Sequence, residues 1–316
     1  MPIDLFLDSG AYSAFSKGVE IGIEEYIQFV KDNLPHLGIY ANLDVIGDAE
    51  ATLKNQRKME DAGLSPIPTY HIGEPERYLK MYVSNYDYIA LGGMAPYSTS
   101  PDLPRFLDRC FEIICGKDGL PKCKVHGFAV TSIKHICRYP WFSCDSTAWV
   151  QTSRFGGVFI PSKRQGEYAF DDSATKISIS NRSPLEKAKS DSIEWLRLHK
   201  PSVFEQTMAY FQSLGLPLGM SRIRSEKPAY KLNEDEKWFS KPIPNKHPIS
   251  EYRGMRLVEE ILEPGLCNDF HFRDEANIKF FLALEASRPA WPWAWTHTNI
   301  NGAEVVGKGR IKAFDL

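Results

Sequence analysis

Six cysteines are spread through this 316-residue chain, and no two of them stand in a CxxC or CxC spacing. The missing spacing argues against a thiol-redox motif and against a disulfide framework, and it fits reduced thiols. No apolar run approaches the roughly 20 residues that a bilayer-spanning helix needs, so no membrane partner is expected. The opening MPIDLFLDSG lacks a basic stretch ahead of its apolar residues, so no secretory signal is expected either. No GxGxxG follows the first apolar segment, which counts against a dinucleotide-binding sheet. No GxxxxGK[ST] occurs. The sequence therefore calls for no redox or nucleotide cofactor. A strong charge of one sign is also lacking. The net charge is −2, which by itself says nothing about nucleic acid.

What is present is a repeated pattern. In the first half an apolar segment is followed by a short polar turn and then an amphipathic stretch. IDLFLD precedes GIEEYIQFVKDN, and IYANLDVI precedes DAEATLKNQRKMEDAG. IPTYHI, YIALGGM and KVHGFAV are followed in the same way, and WFSCDST comes last. Nearly continuous apolar strands suit a parallel sheet covered on both faces. Tyr26, Phe29 and Val30 carry the i, i+3, i+4 spacing of a helix face. Five βα units and a sixth strand fit a (β/α)8 barrel, with a doubly wound sheet as the alternative. The catalytic barrel is expected over residues 1–220. Residues 221–316 are expected to form a mixed, partly basic extension that completes or flanks the barrel.

GGVFIP and KISISN read as further strands, and PLEKAKSDSIEWLRLH and SVFEQTMAYFQSLG as helices. The first 150 residues hold five more acidic than basic residues, and the remainder three more basic than acidic. Arg222, Arg224, Lys227, Lys231, Lys237, Lys241 and Lys246 form a basic stretch, either a solvated face or a contact surface for DNA. Trp291, Trp293 and Trp295 alternate, as in an extended segment packed into a core or interface.

Polar residues interrupt the apolar strands at consistent places. Asp8, Asp44, His71, Gly92–Gly93, His126–Gly127 and Asp145 each lie at or just past a strand end. In a parallel barrel those ends open on one face, where active sites are built. Each residue also has a purely structural alternative. Asp8 or Ser9 can cap a helix, Asp44 can cap the helix beginning near Asp48, and His71 can be a turn residue. Taken together, the residue types suit glycosyl transfer. One carboxylate can attack an anomeric carbon, a second can carry the leaving group's proton, and a third can accept from the N–H edge of a base. Glycines let a flat heterocycle approach the backbone.

LDSGAYSAF resembles the DSGGFQ signature of the tRNA-guanine transglycosylases. YANLDVI, YHIGE, YIALGGM, KVHGFAV and FSCDSTAWVQTSRFG stand in the order of that family's later segments, through about residue 160. The detailed wording is more similar to the phage-borne relatives that insert 7-deazaguanines into DNA. The resemblance implies a pentosyltransferase that exchanges guanine in DNA for a free base such as 7-cyano-7-deazaguanine. It implies Asp145 as nucleophile and Asp8 as acid. Ser9, Asp44, His71, Gly92, Gly93, His126 and Gly127 would surround the base, and Arg154, Lys163 and Arg164 would meet phosphates. It also implies a cytoplasmic protein, working in the host cell if a phage encodes it.

The chain departs from the tRNA enzymes in two ways. It lacks their CxCxxC zinc motif, so no structural metal is expected, although His199, Cys267 and the FHF at 270–272 are scattered candidate ligands. His71 stands where that family has glutamine. The same chemistry on tRNA, or a barrel that binds purine or nucleic acid without catalysis, are the alternatives.

Overall fold

In the computed structural model the described residues are 5–180, 193–239 and 254–296. They fall into two compact units. Described residues up to Ser146 and from Pro289 onward make the first, and residues 147–288 the second. This division differs from the boundary at residue 220 suggested by the sequence.

The first unit is an α/β arrangement of parallel strands. Its elements are β1 (Leu5–Leu7), α1 (Ala11–Lys17), α2 (Ile23–Asn33), β2 (Leu37–Tyr40), α3 (Ala49–Asp61) and β3 (Thr69–His71). They are followed by α4 (Glu76–Asn85), β4 (Tyr88–Gly92), α5 (Asp102–Ile114), β5 (Lys124–Gly127), α6 (Ile133–Arg138) and β6 (Ser143–Cys144). β1 pairs with β2, and β3, β4, β5 and β6 pair in sequence order, all in parallel. A single parallel bridge, Ala41 to Ile67, links the two groups. The array curls, because the Phe6 ring on β1 stacks on His126 of β5 with centroids 4.3 Å apart. Ala41, Ile67 and Ala90 fill the concave side, with Phe6, Ile39, Tyr88 and Phe128 against them. Among the described residues the strands form no hydrogen-bonded ring of eight.

The helices cover the outer face as their patterns require. α5 buries Leu103, Phe106, Leu107, Cys110, Phe111 and Ile114, one stripe of its surface, against Leu91 and Val125 of the strands. α3 begins at Asp48, whose carboxylate accepts from the amides of Glu50 and Ala51. On α2 the buried face is Tyr26, Ile27 and Val30, while Phe29 is exposed, so the face lies one position away from the expected Tyr26–Phe29–Val30 stripe. The tryptophan segment packs into this unit. Trp295 is buried against Phe111 and Tyr139, and the Trp291 indole N–H donates to the Pro140 carbonyl.

The second unit contains α7 (Ala148–Arg154), β7 (Gly157–Ile160), β8 (Ser162–Arg164), β9 (Glu167–Ala169), β10 (Thr175–Ser178), α8 (Ile193–His199), α9 (Pro201–Ser213), β11 (Met220–Glu226), β12 (Glu236–Trp238), β13 (Arg256–Glu263) and α10 (Phe270–Ala286). The two expected strands GGVFIP and KISISN are β7 and β10, and they pair antiparallel. β11, β13 and β12 form an antiparallel sheet. Val158, Ile177, Tyr210, Phe211, Leu266 and Ala276 form this unit's core. Asn277 on α10 accepts from the Phe159 amide and donates to the Trp149 carbonyl, which fixes the helix to the β7 strand end.

Candidate active site

The polar cluster of the first unit is built at the ends of its parallel strands. β1 ends at Leu7, and the chain passes through Asp8 and Ser9 to Gly10, whose φ of 73° starts α1. Ser9 is buried. Its hydroxyl accepts from the Ala11 amide at 3.1 Å and donates to Asp44 Oδ1 at 2.6 Å. Ser9 therefore serves the helix start and the cluster together. Asp44 does not cap α3, since Asp48 does that. Its second oxygen, Oδ2, lies 2.9 Å from Nε2 of His71.

His71 ends β3 and is almost wholly buried. Its Nδ1 lies 3.0 Å from Glu74 Oε1, and its backbone amide donates to Glu74 Oε2 at 3.0 Å. The chain folds back between them in a tight turn, closed by the Glu74 amide on the His71 carbonyl, with Gly73 at φ 92° where a side chain would be strained. Burial would make the imidazole harder to protonate, but the hydrogen bonds and charges of Asp44 and Glu74 prevail and push its pKa up to about 9.

Gly92 has a definite steric role. A Cβ there would lie 2.9 Å from the Cδ2 of His71. The glycine pair thus makes room for the His71 side chain. Gly127 is similar, because Val130 and Trp141 occupy the space its side chain would need.

Asp145 follows β6 directly. Its amide donates to the Gly127 carbonyl, and its own carbonyl accepts from the Val130 amide. Its Oδ1 accepts from the Ala129 amide at 2.5 Å. Ala129 has φ 56°, a conformation uncommon for a residue with a Cβ, and it aims that amide at the carboxylate. Asp8 and Asp145 are both exposed side chains. The surrounding protein nevertheless restricts their water. Burial is the largest influence on each and raises both carboxyls above the ordinary range. Asp8 is raised further by the nearby charges of Asp44 and Asp145, against a partial offset from the Gly10 amide. Of the three aspartates expected to converge, Asp8 thus lies close enough to both others to feel their charge. Among the described residues no lysine or arginine pairs with any of them, and the only cation in the cluster is His71.

His126 lies beneath, on the concave side. Its Nδ1 is 2.7 Å from the Ser143 hydroxyl, which also meets the Tyr88 hydroxyl at 2.6 Å. Its Nε2 is buried without a partner among the described residues, and burial drops its pKa to about 4, so the ring is neutral at pH 7. It acts as an uncharged member of the strand layer rather than as a charged site group.

The three expected phosphate contacts belong to the second unit. Arg154 pairs with Asp274 at 3.3 Å and lies over the Phe270 ring. Arg164 pairs with Asp171 at 3.0 Å. Lys163 lies 5.8 Å from the centroid of the Tyr168 ring. Among the described residues no group of three or more His, Cys, Asp and Glu side chains is arranged to hold a metal ion. No described helix is long and apolar enough to cross a membrane.

Three features escaped sequence reasoning. Glu74 was hidden in YHIGE, although its distance of three residues from His71 is the spacing of a closed turn. The Ala129 amide carries no sequence signal. α1 presents Tyr12 and Phe15 to solvent, 54% and 64% exposed, just past Asp8, and their spacing of three was the available clue. No protein-family model, curated protein or solved structure matches this chain.

Proposed function

We propose that this protein exchanges guanine in DNA for a 7-deazaguanine at the strand-end cluster, in a unit whose curled parallel strands belong to a (β/α)8 barrel. The observation that carries the reading is the division of labour among three carboxylates. Asp145 has one oxygen fixed by the Ala129 amide and its carboxylate reaches solvent. It attacks C1′ of the target deoxyguanosine, forming the Asp145–C1′ bond as the C1′–N9 bond breaks. The bonding electrons leave with guanine, and Asp8 supplies the proton the departing base needs. A carboxyl held above its ordinary range suits that donor. An incoming 7-deazaguanine then attacks C1′, returns its proton to Asp8 and releases Asp145. Two displacements retain the sugar configuration.

Asp44 is the base-reading group in this scheme. Ser9 and His71 each donate to one of its oxygens, which orients the carboxylate and leaves lone pairs for the N1–H and N2–H₂ edge of guanine. C1′ is hard to reach in a duplex, so the nucleotide flips or is single-stranded. The basic residues of the second unit are the candidates for phosphate contacts, with the ion pairs of Arg154 and Arg164 exchanging for phosphate. The protein then works where DNA is, in the cytoplasm.

The test is to trap the intermediate. Protein incubated with DNA and no incoming base, then denatured, should yield a protein–DNA adduct. Asp145→Asn should yield none. An adduct of equal yield from Asp145→Asn overturns the assignment. Adduct with tRNA and none with DNA moves the same chemistry to RNA.

A further inference from the structure

The His71 ring faces a carboxylate oxygen from each of its nitrogens, Asp44 Oδ2 at 2.9 Å and Glu74 Oε1 at 3.0 Å. Ionised carboxylates only accept, and a neutral imidazole has one N–H. One contact would then set lone pair against lone pair. Only the doubly protonated ring satisfies both. The ring has no spare room on its β4 side, since even a methyl group added to Gly92 would lie 2.9 Å from its Cδ2. Water offers no substitute partner, because the side chains of His71, Asp44 and Glu74 are 6%, 10% and 5% exposed.

We infer that Glu74 is a positioning residue for base recognition: acting through His71, it keeps the imidazole a double donor and holds the Asp44 carboxylate aligned on the purine's paired N–H edge. The assignment rests on the base-exchange reading of the site. Glu74 itself is fixed at four points, by the His71 ring, the His71 amide, its own amide on the His71 carbonyl and the Tyr70 hydroxyl on its carbonyl. It belongs to the same turn as His71, so the pair moves as one piece relative to Asp44.

The consequence is a dependence on pH. The groups facing His71 are Asp44 from the segment after β2, Glu74 from its own turn, and the uncharged Gly92 that ends β4 with Gly93 just after it. Asp8 acts through the charge it shares with Asp44, and Ser9 holds the other Asp44 oxygen. Tyr70 and Tyr82 lie near Glu74, and burial raises both phenols far above neutrality, so they stay uncharged. With two carboxylates the ring keeps its second proton up to about pH 9. With one, it gives that proton up sooner, and Asp44 loses its aligned cation.

The experiment uses the full chain as wild type, Glu74→Gln and His71→Gln. Imidazole ¹⁵N shifts read the His71 protonation state in the free protein, and calorimetry reads affinity for guanine and for 7-cyano-7-deazaguanine. In Glu74→Gln the His71 midpoint should fall by about two pH units from its value of about 9, and affinity near pH 8 should weaken about tenfold, because only about a tenth of the rings then keep the second proton. Near pH 6, where the ring is protonated in both proteins, the affinity of Glu74→Gln should return toward wild type. His71→Gln should be weak at both pH values. The ionisation of the base itself is common to every protein and cancels in the comparison. Equal affinities near pH 8 despite a shifted ring titration overturn the inference. An affinity loss in Glu74→Gln that is the same at both pH values also overturns it, because it marks a structural role only. A wild type that binds neither base while its His71 titrates as described overturns the base-exchange reading, and this proposal with it.

Discussion

The charged residues of the second unit and those of the first unit's strand-end cluster are used in opposite ways. In the second unit, Arg222 meets Glu260 directly across the β11–β13 ladder, and Arg224 meets Glu226, Glu236 and Glu260. Arg154 and Arg164 likewise have Asp274 and Asp171. Charge there is balanced within the fold. In the first unit Asp8, Asp44 and Asp145 gather with a single cation, and two of the three carboxyls are pushed above their ordinary range. Such an imbalance does not help folding, since Asp8 and Asp145 shed water without gaining a cation. Balanced charge supports structure, and carboxylates left short of partners mark where chemistry is expected.

The sharpest way to break this comparison is Asp145. Asp145→Ala should lower base exchange by about a thousandfold or more, as loss of a covalent nucleophile does. Its melting temperature should hold or rise, because a carboxyl whose folded pKa is raised disfavours folding when ionised. A lost fold would place Asp145 among the structural charges instead.

Asp44 and Asp48 give the next contrast, two aspartates four residues apart with different duties. Asp44→Asn faces a purine N–H with an amide donor, which costs about 1–3 kcal/mol and should slow exchange roughly tenfold to a hundredfold. It also loses its charge toward His71, so a modest fall in melting temperature is expected. Asp48→Ala removes the α3 cap and should cost about 0.5–2 kcal/mol of stability while exchange is unchanged. Paired melting curves and exchange rates separate the two roles.

His71 provides a stability test. Its folded pKa of about 9 lies above the ordinary histidine value, so its contribution is full below about pH 6.5 and is lost as pH rises through 9. The wild-type melting temperature should therefore decline across that window more steeply than that of His71→Gln. Parallel curves would mean that the ring is not held as a cation.

The smallest effect concerns Arg164. Its exposed pair with Asp171 contributes at most about 1 kcal/mol. Arg164→Ala should leave melting almost unchanged, yet it should weaken DNA binding across all sequences and reduce the salt dependence by about one phosphate contact. Unchanged DNA binding would return Arg164 to the internally balanced set.

The parallel strands and the convergence at their ends were legible because each apolar run halts at an acid, a histidine or a glycine pair. The local alternatives were less legible. Only coordinates show that Asp48 caps α3 and frees Asp44 for the cluster. The basic stretch from Arg222 left a contact surface open beside a solvated face because its counter-charges lie far along the chain, with Glu260 arriving 38 residues after Arg222. Of that stretch, Lys241 and Lys246 lie outside the described residues. α1 was legible only as one alternative, a helix capped by Asp8 or Ser9, because a seven-residue helix that exposes Tyr12 and Phe15 lacks an amphipathic pattern. Glu74 and the Ala129 amide depend on turn geometry, which residue type alone does not specify.

The most direct measurement is incorporation of radiolabelled guanine by purified protein given plasmid DNA or tRNA in parallel. Label should enter DNA, should be absent from tRNA, and should disappear with Asp145→Ala. A folded wild-type protein that labels neither nucleic acid, or a folded Asp145→Ala protein that labels DNA at the wild-type rate, would contradict base exchange at these carboxylates.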